Sequence, residues 1–264
     1  NKESMVMAGE IINNLLSKNS CKLFPIDSEH SAIWQCLKGE KYEQIEKIIL
    51  TASGGPFRTK SKKEFDKISL KEALTHPNWV MGNKITIDSA TMMNKGLEVI
   101  EAHWLFNIDP NEIDIVVHPE SIIHSMVEFI DGSIKAQLGV PDMKVPIQYA
   151  LTYPNHSVSK WERLDLTSLG KLHFEKPDLD KFRCIHLAYE AIKSGGTTPV
   201  VLNVANDIVV DAFLNGYISF IQIPIIIENA LNQHENIKTP DLETITHISD
   251  MTINYVNNQI KSYA

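Results

Sequence analysis

At 264 residues the chain exceeds the usual reach of one hydrophobic core and suggests two packed units. With 43% hydrophobic and 22% charged residues it is neither fibrous nor disordered, and a net charge of -8 without a basic stripe argues against a nucleic-acid partner. Cys21, Cys36 and Cys184 are far apart and form no CxxC pair, which points to a reducing compartment. The longest apolar run, 218–227, is broken by Ser219, Gln222 and Pro224 and is too short to span a bilayer. The opening Asn1-Lys2-Glu3-Ser4 reads as cut from a longer precursor, with neither an initiator methionine nor a signal-like segment.

In chain order, residues 5–17 have helical apolar spacing and predict a surface helix. Lys22 to Ile26 predicts a short strand, followed by the polar turn Asp27-Ser28-Glu29-His30 and a helix resuming at Ala32. Glu46 to Ala52 predicts a buried strand, and Ser53-Gly54-Gly55-Pro56-Phe57-Arg58 opens a long loop running through His76-Pro77-Asn78-Trp79 to Gly82. Lys84 to Ile87 predicts a second strand, with Asp88 and Ser89 as N-caps of a helix reaching about Phe106. Two further strands are expected at Ile113 to Val117 and Ser125 to Ile130, the latter turning through Asp131-Gly132 into a hairpin with 133–139. Prolines 141, 146, 154 and 177 mark a connector, and four helices follow at 184–193, 200–214, 221–232 and 242–262. The fold class is therefore α+β: a catalytic unit, 1–145, with a mostly antiparallel or mixed sheet flanked by helices, then a connector, 146–176, and a C-terminal four-helix bundle, 177–264.

Three groupings could carry chemistry. Asp27 and Glu29 could converge on a hard cation such as magnesium or manganese, although alone the pair reads more simply as an N-cap and a first-turn acid. Asn94 and Glu98 share a helix face with Lys95 beside them, and with Ser89 at the helix start they outline a phosphate cradle. The bland equivalent is a capped amphipathic helix with a Lys95–Glu98 surface pair. The loop 53–82, with Ser53, His76, Trp79 and Met81, has the length of a lid. His118, His124 and His30 fit no zinc spacing, and Met92, Met93 and Met126 read as core.

The runs NKES (1–4), DSEH (27–30), SGGPFR (53–58), HPNWVMGNKITIDSATMMNKGLEVIEA (76–102), IHSMVEF (123–129) and PDM (141–143) together resemble the 1-deoxy-D-xylulose 5-phosphate reductoisomerase family. The resemblance covers most of 1–145 in the family's order and extends more loosely over the helical tail. It implies Asp27, Glu29 and Glu98 as ligands of Mg2+ or Mn2+, with Co2+ a further candidate. It implies Ser53, Ser89, Asn94 and Lys95 around the substrate phosphate with His76 nearby, and Lys2, Ser28 and Glu29 at the hydroxyketone end. Asn1, Glu3 and Gly82 would touch NADPH, with Met81 and Met143 near the nicotinamide. The implied activity is NADPH-dependent rearrangement and reduction of a phosphorylated sugar by a homodimer, in a bacterial cytoplasm or a plastid, without membrane or nucleic-acid partners.

One departure stands out. These residues contain no GxGxxG fingerprint for a dinucleotide fold, so the chain alone is expected to bind NADPH poorly. A metal-dependent phosphate-ester hydrolase and a non-catalytic dimerisation module are the competing readings. They are separated from the first by phosphate release and by assembly measurements.

Overall fold

A computed structural model of the chain describes residues 1–75 and 81–263. Helix α1 (Lys2–Asn19) starts where the Asn1 side chain accepts from the Ser4 amide at 2.9 Å, and it bends at Ala8. At the bend Gly9 lies under Trp104, whose ring a Cβ would meet at 2.2 Å, so only glycine admits this approach. Met5 and Val6 bury the inner face, which aims the helix's first turn, with Lys2, at the interior.

Lys22 to Ile26 forms no strand. A strand needs a ladder partner, and here Pro25 lacks a donor while Phe24 instead stacks on Trp34 at 5.0 Å. Helix α2 (Ser28–Cys36) follows directly, with Asp27 at its N-cap position.

Strand β1 (Ile45–Ala52) pairs in parallel with β2 (Ile113–Val117) and antiparallel with β3 (Ile123–Phe129), which forms a hairpin with β4 (Ile134–Leu138). The sheet is mixed, in the order β2-β1-β3-β4. A parallel β1–β2 pair demands a long crossover, and the crossover supplies α3 (Leu70–Ala73), α4 (Asn83–Ala90) and α5 (Met93–Phe106).

The expected strand at 84–87 is therefore the middle of α4. Its β-branched Ile85-Thr86-Ile87 run mimics strand alternation, but the buried side chains Thr86, Ile87 and Ala90 follow a helical period. Nor do Asp88 and Ser89 cap the next helix, since both lie inside α4. The chain instead turns at Met92, which is left-handed at φ 61°, and the Met93 amide donates to Thr91 Oγ1 at 3.3 Å.

The proline-marked stretch holds α6 (Lys144–Thr152) and the short α7 (Leu166–Leu169). Helices α8 (Arg183–Ser194), α9 (Thr198–Leu214), α10 (Gln222–Gln233) and α11 (Leu242–Lys261) match the four expected spans to within two residues. Helix α9 is buried along most of its length, packing on α8, α10 and α11 and also on α1 and α4. One apolar cluster runs from Ile48 and Leu50 through Leu97 and Ile100 to Ile185, Val209 and Ile226. Among the described residues no helix is long and apolar enough to cross a membrane.

Helices α5 and α8 touch at Gly96, where a Cβ would lie 2.6 Å from the Ala188 Cβ and 3.3 Å from the Cys184 carbonyl. In an open helix Gly→Ala gains about 1 kcal/mol, whereas overpacking a tight core costs about 1–3 kcal/mol. The contact distance makes the second effect dominate. Gly96→Ala is expected to lower the denaturant midpoint by a net destabilisation of about 1–2 kcal/mol, and a raised midpoint would contradict this packing.

Candidate metal and phosphate site

Three separate segments bring charged groups to the carboxyl end of β1. Asp27 occupies the N-cap position of α2 but makes no capping hydrogen bond there, so its carboxylate is free to turn inward. It lies 2.7 Å from Lys2 Nζ, at the start of α1. Glu29, in the first turn of α2, accepts from Ser28 Oγ at 2.7 Å and from Lys95 Nζ at 2.9 Å. Glu98, on α5 and 0% exposed, is bonded by Lys95 and Asn94 and lies 3.4 Å from Lys2 Nζ. Oxygens of Asp27, Glu29 and Glu98 all lie within 4.8 Å of one another.

The expected Lys95–Glu98 surface pair exists, but Lys95 is only 4% exposed and the pair is internal. That changes its energetics, because a buried charge without a partner is costly. Burial disfavours the ammonium of Lys95, yet Glu29 and Glu98 hold its pKa above the ordinary value. Lys2 is held well above in the same way, by Glu98 and Asp27 against burial. Burial likewise opposes ionisation of Glu29, but Lys95 and the Ser28 hydrogen bond prevail and hold it at about 2. Glu98 moves the other way, to about 7, because burial and the neighbouring Glu29 outweigh the help from Lys95.

His30 extends the group on its inner side. Its Nε2 is 2.9 Å from the Glu98 carbonyl, which can only accept, so that nitrogen carries the proton and Nδ1 faces Glu101 Oε2 at 3.2 Å. A sequence scan for metal spacing passes over this contact because Glu101 lies 71 positions away in the chain.

A cavity of about 230 Å³ opens over the carboxylates, lined by Asp27, Ser28, Glu29, Glu98, Asn94 and Lys95 on one side and by Ser53, Ser89, Met81 and Met143 on others. Ser53 and Ser89 come together because the glycine turn presses on the end of α4. Gly55 sits at φ 67°, and a Cβ there would meet the Ser89 carbonyl at 2.5 Å. Thr51, Ser121 and His124 also line the cavity, and sequence reasoning gave them no role. For His124 the available signal is the strand pattern of IHSMVEF, whose period of two turns His124 and Met126 to one face, whereas Thr51 at the end of β1 and Ser121 before β3 carry no comparable signal. Burial lowers the pKa of His124, against the pull of Glu29.

Asn1 and Glu3 line an adjoining cavity of about 470 Å³, shared with Lys2, Asp27, Asn94 and Met143. Glu3 is 3.5 Å from Lys84. Gly82 is exposed at the N-cap of α4 and lines neither cavity. His76 and Trp79, expected on a lid, lie in 76–80, outside the described residues.

Comparison with known proteins agrees with this architecture. Residues 23–106 match the family model for the 1-deoxy-D-xylulose 5-phosphate reductoisomerase C-terminal domain, and 138–255 match that for the DXP reductoisomerase C-terminal domain. The reductoisomerase of Bacillus pumilus is 56% identical over 98% of this chain, which covers 68% of that protein. The chain belongs to the 1-deoxy-D-xylulose 5-phosphate reductoisomerase family. The reductoisomerase of Chloroherpeton thalassium is 59% identical over 97% of this chain and 66% of its own length. Among solved structures, that of the Zymomonas mobilis reductoisomerase in complex with NADPH superposes with a TM-score of 0.93 at 44% identity, over 99% of this chain and 68% of that one. A reductoisomerase in complex with NADPH, fosmidomycin and magnesium gives 0.92 at 44% identity, over 99% of this chain and 69% of that one. The chain thus spans about two thirds of the length of the curated relatives it matches.

The carboxylate shifts make metal-free stability depend on pH in opposite directions. Glu29, held below its ordinary value, contributes stability above about 4.5 that is lost as pH falls toward 2. Glu98, held above its ordinary value, contributes stability below about 4.5 that is lost as pH rises through 7. Glu98→Gln, which carries no charge, is expected to remove the second loss. Between pH 5 and 8 the metal-free wild type should fall relative to the variant by up to a few kcal/mol in chemical denaturation. Parallel curves would contradict the shift.

Proposed function

We propose that these residues form the metal- and substrate-binding part of an enzyme that converts 1-deoxy-D-xylulose 5-phosphate to 2-C-methyl-D-erythritol 4-phosphate with NADPH, in non-mevalonate isoprenoid precursor synthesis. The observation that carries this reading is the convergence of Asp27, Glu29 and Glu98 beside two ammonium groups, on the wall of a cavity also lined by Ser53, Ser89 and Asn94.

An all-oxygen donor set fits a hard divalent ion, Mg2+ or Mn2+, with Co2+ as a third candidate. Asp27, Glu29 and Glu98 would hold it. When bound, such an ion supplies Lewis acidity toward the ketone oxygen and the neighbouring hydroxyl. The chain's own groups do the rest. Ser53, Ser89, Asn94 and Lys95 would bind the phosphate, with His76 nearby, and Lys2, Ser28 and Glu29 the hydroxyketone end. Asn1, Glu3, Gly82, Met81 and Met143 would face NADPH.

Charge explains how these roles fit together. Fully ionised, three carboxylates and two ammonium groups leave one net negative charge, which repels a phosphorylated substrate. A divalent ion reverses that sign and takes over the neutralisation that Lys2 and Lys95 provide, so both ammonium groups can turn toward the anion. The enclosed wall then excludes water from the reacting carbons.

Titration of the purified chain with Mn2+ by calorimetry tests the site. One ion per chain is expected, with an affinity that increases with pH up to about 7 as Glu98 loses its proton and then levels off. Glu98→Gln should weaken binding by at least about 100-fold. Absence of binding, or equal affinity in the variant, would overturn the assignment.

Assayed with substrate and NADPH, this chain should turn over far more slowly than a relative carrying a dinucleotide-binding fold. Full NADPH oxidation by these residues alone would refute that.

The family relationship and the sheet also favour a homodimer. β4 is an edge strand exposed along most of its length, with Ile134 and Leu138 presenting apolar surface on it and Ile130 beside them in the hairpin turn. Sedimentation equilibrium should return twice the chain mass, and a monomer at micromolar concentration would count against this surface as an interface.

A further inference from the structure

Apart from the carboxylate trio, a second polar group, buried at Asp88 and Asn206 and half-buried at Lys84, Glu3 and Asp207, lies where α1, α4 and α9 meet. Lys84 Nζ is 3.0 Å from Asp88 Oδ2, 3.0 Å from Asp207 Oδ1 and 3.5 Å from Glu3 Oε1. Asp88 is 2% exposed, and its other oxygen accepts from Asn206 Nδ2 at 2.8 Å. Asn206 is 0% exposed, and Asn203, one turn earlier, reaches Met7 Sδ on α1 at 3.2 Å. The Oδ1 atoms of both asparagines have no hydrogen-bond partner among the described residues.

Stability alone does not account for this arrangement. A buried ion pair is often no better than apolar residues of the same volume, and each unpartnered amide oxygen adds about 1–3 kcal/mol of cost. What directional polar contacts supply, and apolar packing does not, is register. Helix α4 needs that register from outside. It is eight residues long, and its N-cap residue, Gly82, has no side chain to bond the first turn. The residue after Asp88 is Ser89, which points some 100° away around the helix, into the cavity, while Asp88 points to α9. Its carbonyl already presses on Gly55, so a slip of α4 by even part of the 1.5 Å helical rise would displace the Ser53–Gly55 turn as well.

We infer that Asp88 is a positioning residue: held by Asn206 and Lys84, it locks α4 in register on α9 and thereby sets Ser89 and Ser53 for an anionic oxygen ligand. The inference rests on the reading of Ser53, Ser89, Asn94 and Lys95 as a phosphate subsite. It also gives the C-terminal helices a part in building a site to which they contribute no lining side chain.

The test uses the intact chain with inorganic phosphate as one probe and Mn2+ as the other, both followed by calorimetry. Asp88→Ala should weaken phosphate binding by on the order of tenfold or more, since displacements near 1 Å at a binding group carry such losses. Mn2+ affinity should stay within about twofold, because the carboxylates sit on α2 and α5, which the sheet and α8 also hold, and none of them sits on α4. Asp88→Asn keeps an oxygen for Asn206 and should restore phosphate affinity to within about threefold of wild type. Asn206→Leu, which leaves Asp88 itself intact, should reproduce the Asp88→Ala pattern and serves if that variant does not fold. Unchanged phosphate affinity in both Asp88→Ala and Asn206→Leu would overturn the inference. So would a parallel loss of phosphate and Mn2+ binding, which marks a merely structural role. If the wild type binds Mn2+ but no phosphate, the subsite reading itself fails.

Discussion

Three carboxylates cannot be enclosed side by side without countercharge, and the fold is organised around supplying it. Lys2 comes from the first turn of α1 and Lys95 from α5, so the ion-free chain neutralises Asp27, Glu29 and Glu98 from two directions. The arrangement is frustrated rather than restful. Glu29 is pulled to about 2 and Glu98 is pushed to about 7, which means the five groups do not reach a state in which each is fully satisfied. A site that holds excess negative charge at close quarters is primed to take a cation, and the residual strain is relieved when one arrives.

This constraint explains why the scaffold is as rigid as it is. Glu98 and Lys95 belong to α5, whose opposite side carries Leu97 and Ile100 into the core and whose Gly96 sits against Ala188 at a spacing that admits nothing larger. Glu29 belongs to α2, which packs on β3 and β4. The carboxylates of Glu29 and Glu98 are therefore fixed by helices that are themselves clamped on the sheet and on α8, while Ser53 comes from the glycine turn after β1. The cavity opens at the carboxyl end of β1, over its antiparallel pairing with β3, with Thr51 and Ala52 on one strand and Ile123 and His124 on the other.

Much of this was legible in the residues. Helical period located α5 and the four C-terminal helices, and alternation located β1 to β4, because in those segments packing follows the local pattern. The failures fall where tertiary contacts override it. Lys84 to Ile87 alternates like a strand but is helical because Thr86, Ile87 and Ala90 face one interior. Lys22 to Ile26 has strand composition but no neighbouring edge to pair with, and its aromatic side chain is committed to Trp34. For Asp27 and Glu29 the backbone reading and the functional one both describe the same atoms. Asp27 does stand at an N-cap position and Glu29 in a first turn, yet neither spacing nor propensity shows that the Asp27 carboxylate turns away from the helix. Only the resemblance to a family pointed to that, and with it to Glu98 as a third ligand, 69 positions beyond Glu29. His30 to Glu101 and Asp88 to Asn206 are contacts of the same long-range kind, visible only when the chain is folded.

The two polar groups differ in a way that bears on how such a site is built. Around Asp27, Glu29 and Glu98 the charges are unbalanced and face a cavity, so their energy changes when a ligand enters. Around Lys84 one cation serves three carboxylates, Asp88, Asp207 and Glu3, but Asp88, the buried one, has both oxygens committed, one to Lys84 and one to Asn206 on α9, so its place in the helix junction does not depend on an ion at the trio. The first is suited to respond and the second to hold still. Since α4 carries one member of each kind, Ser89 beside the responsive cavity and Asp88 in the fixed junction, a helix of two turns separates a site that must exchange partners from a core that must not.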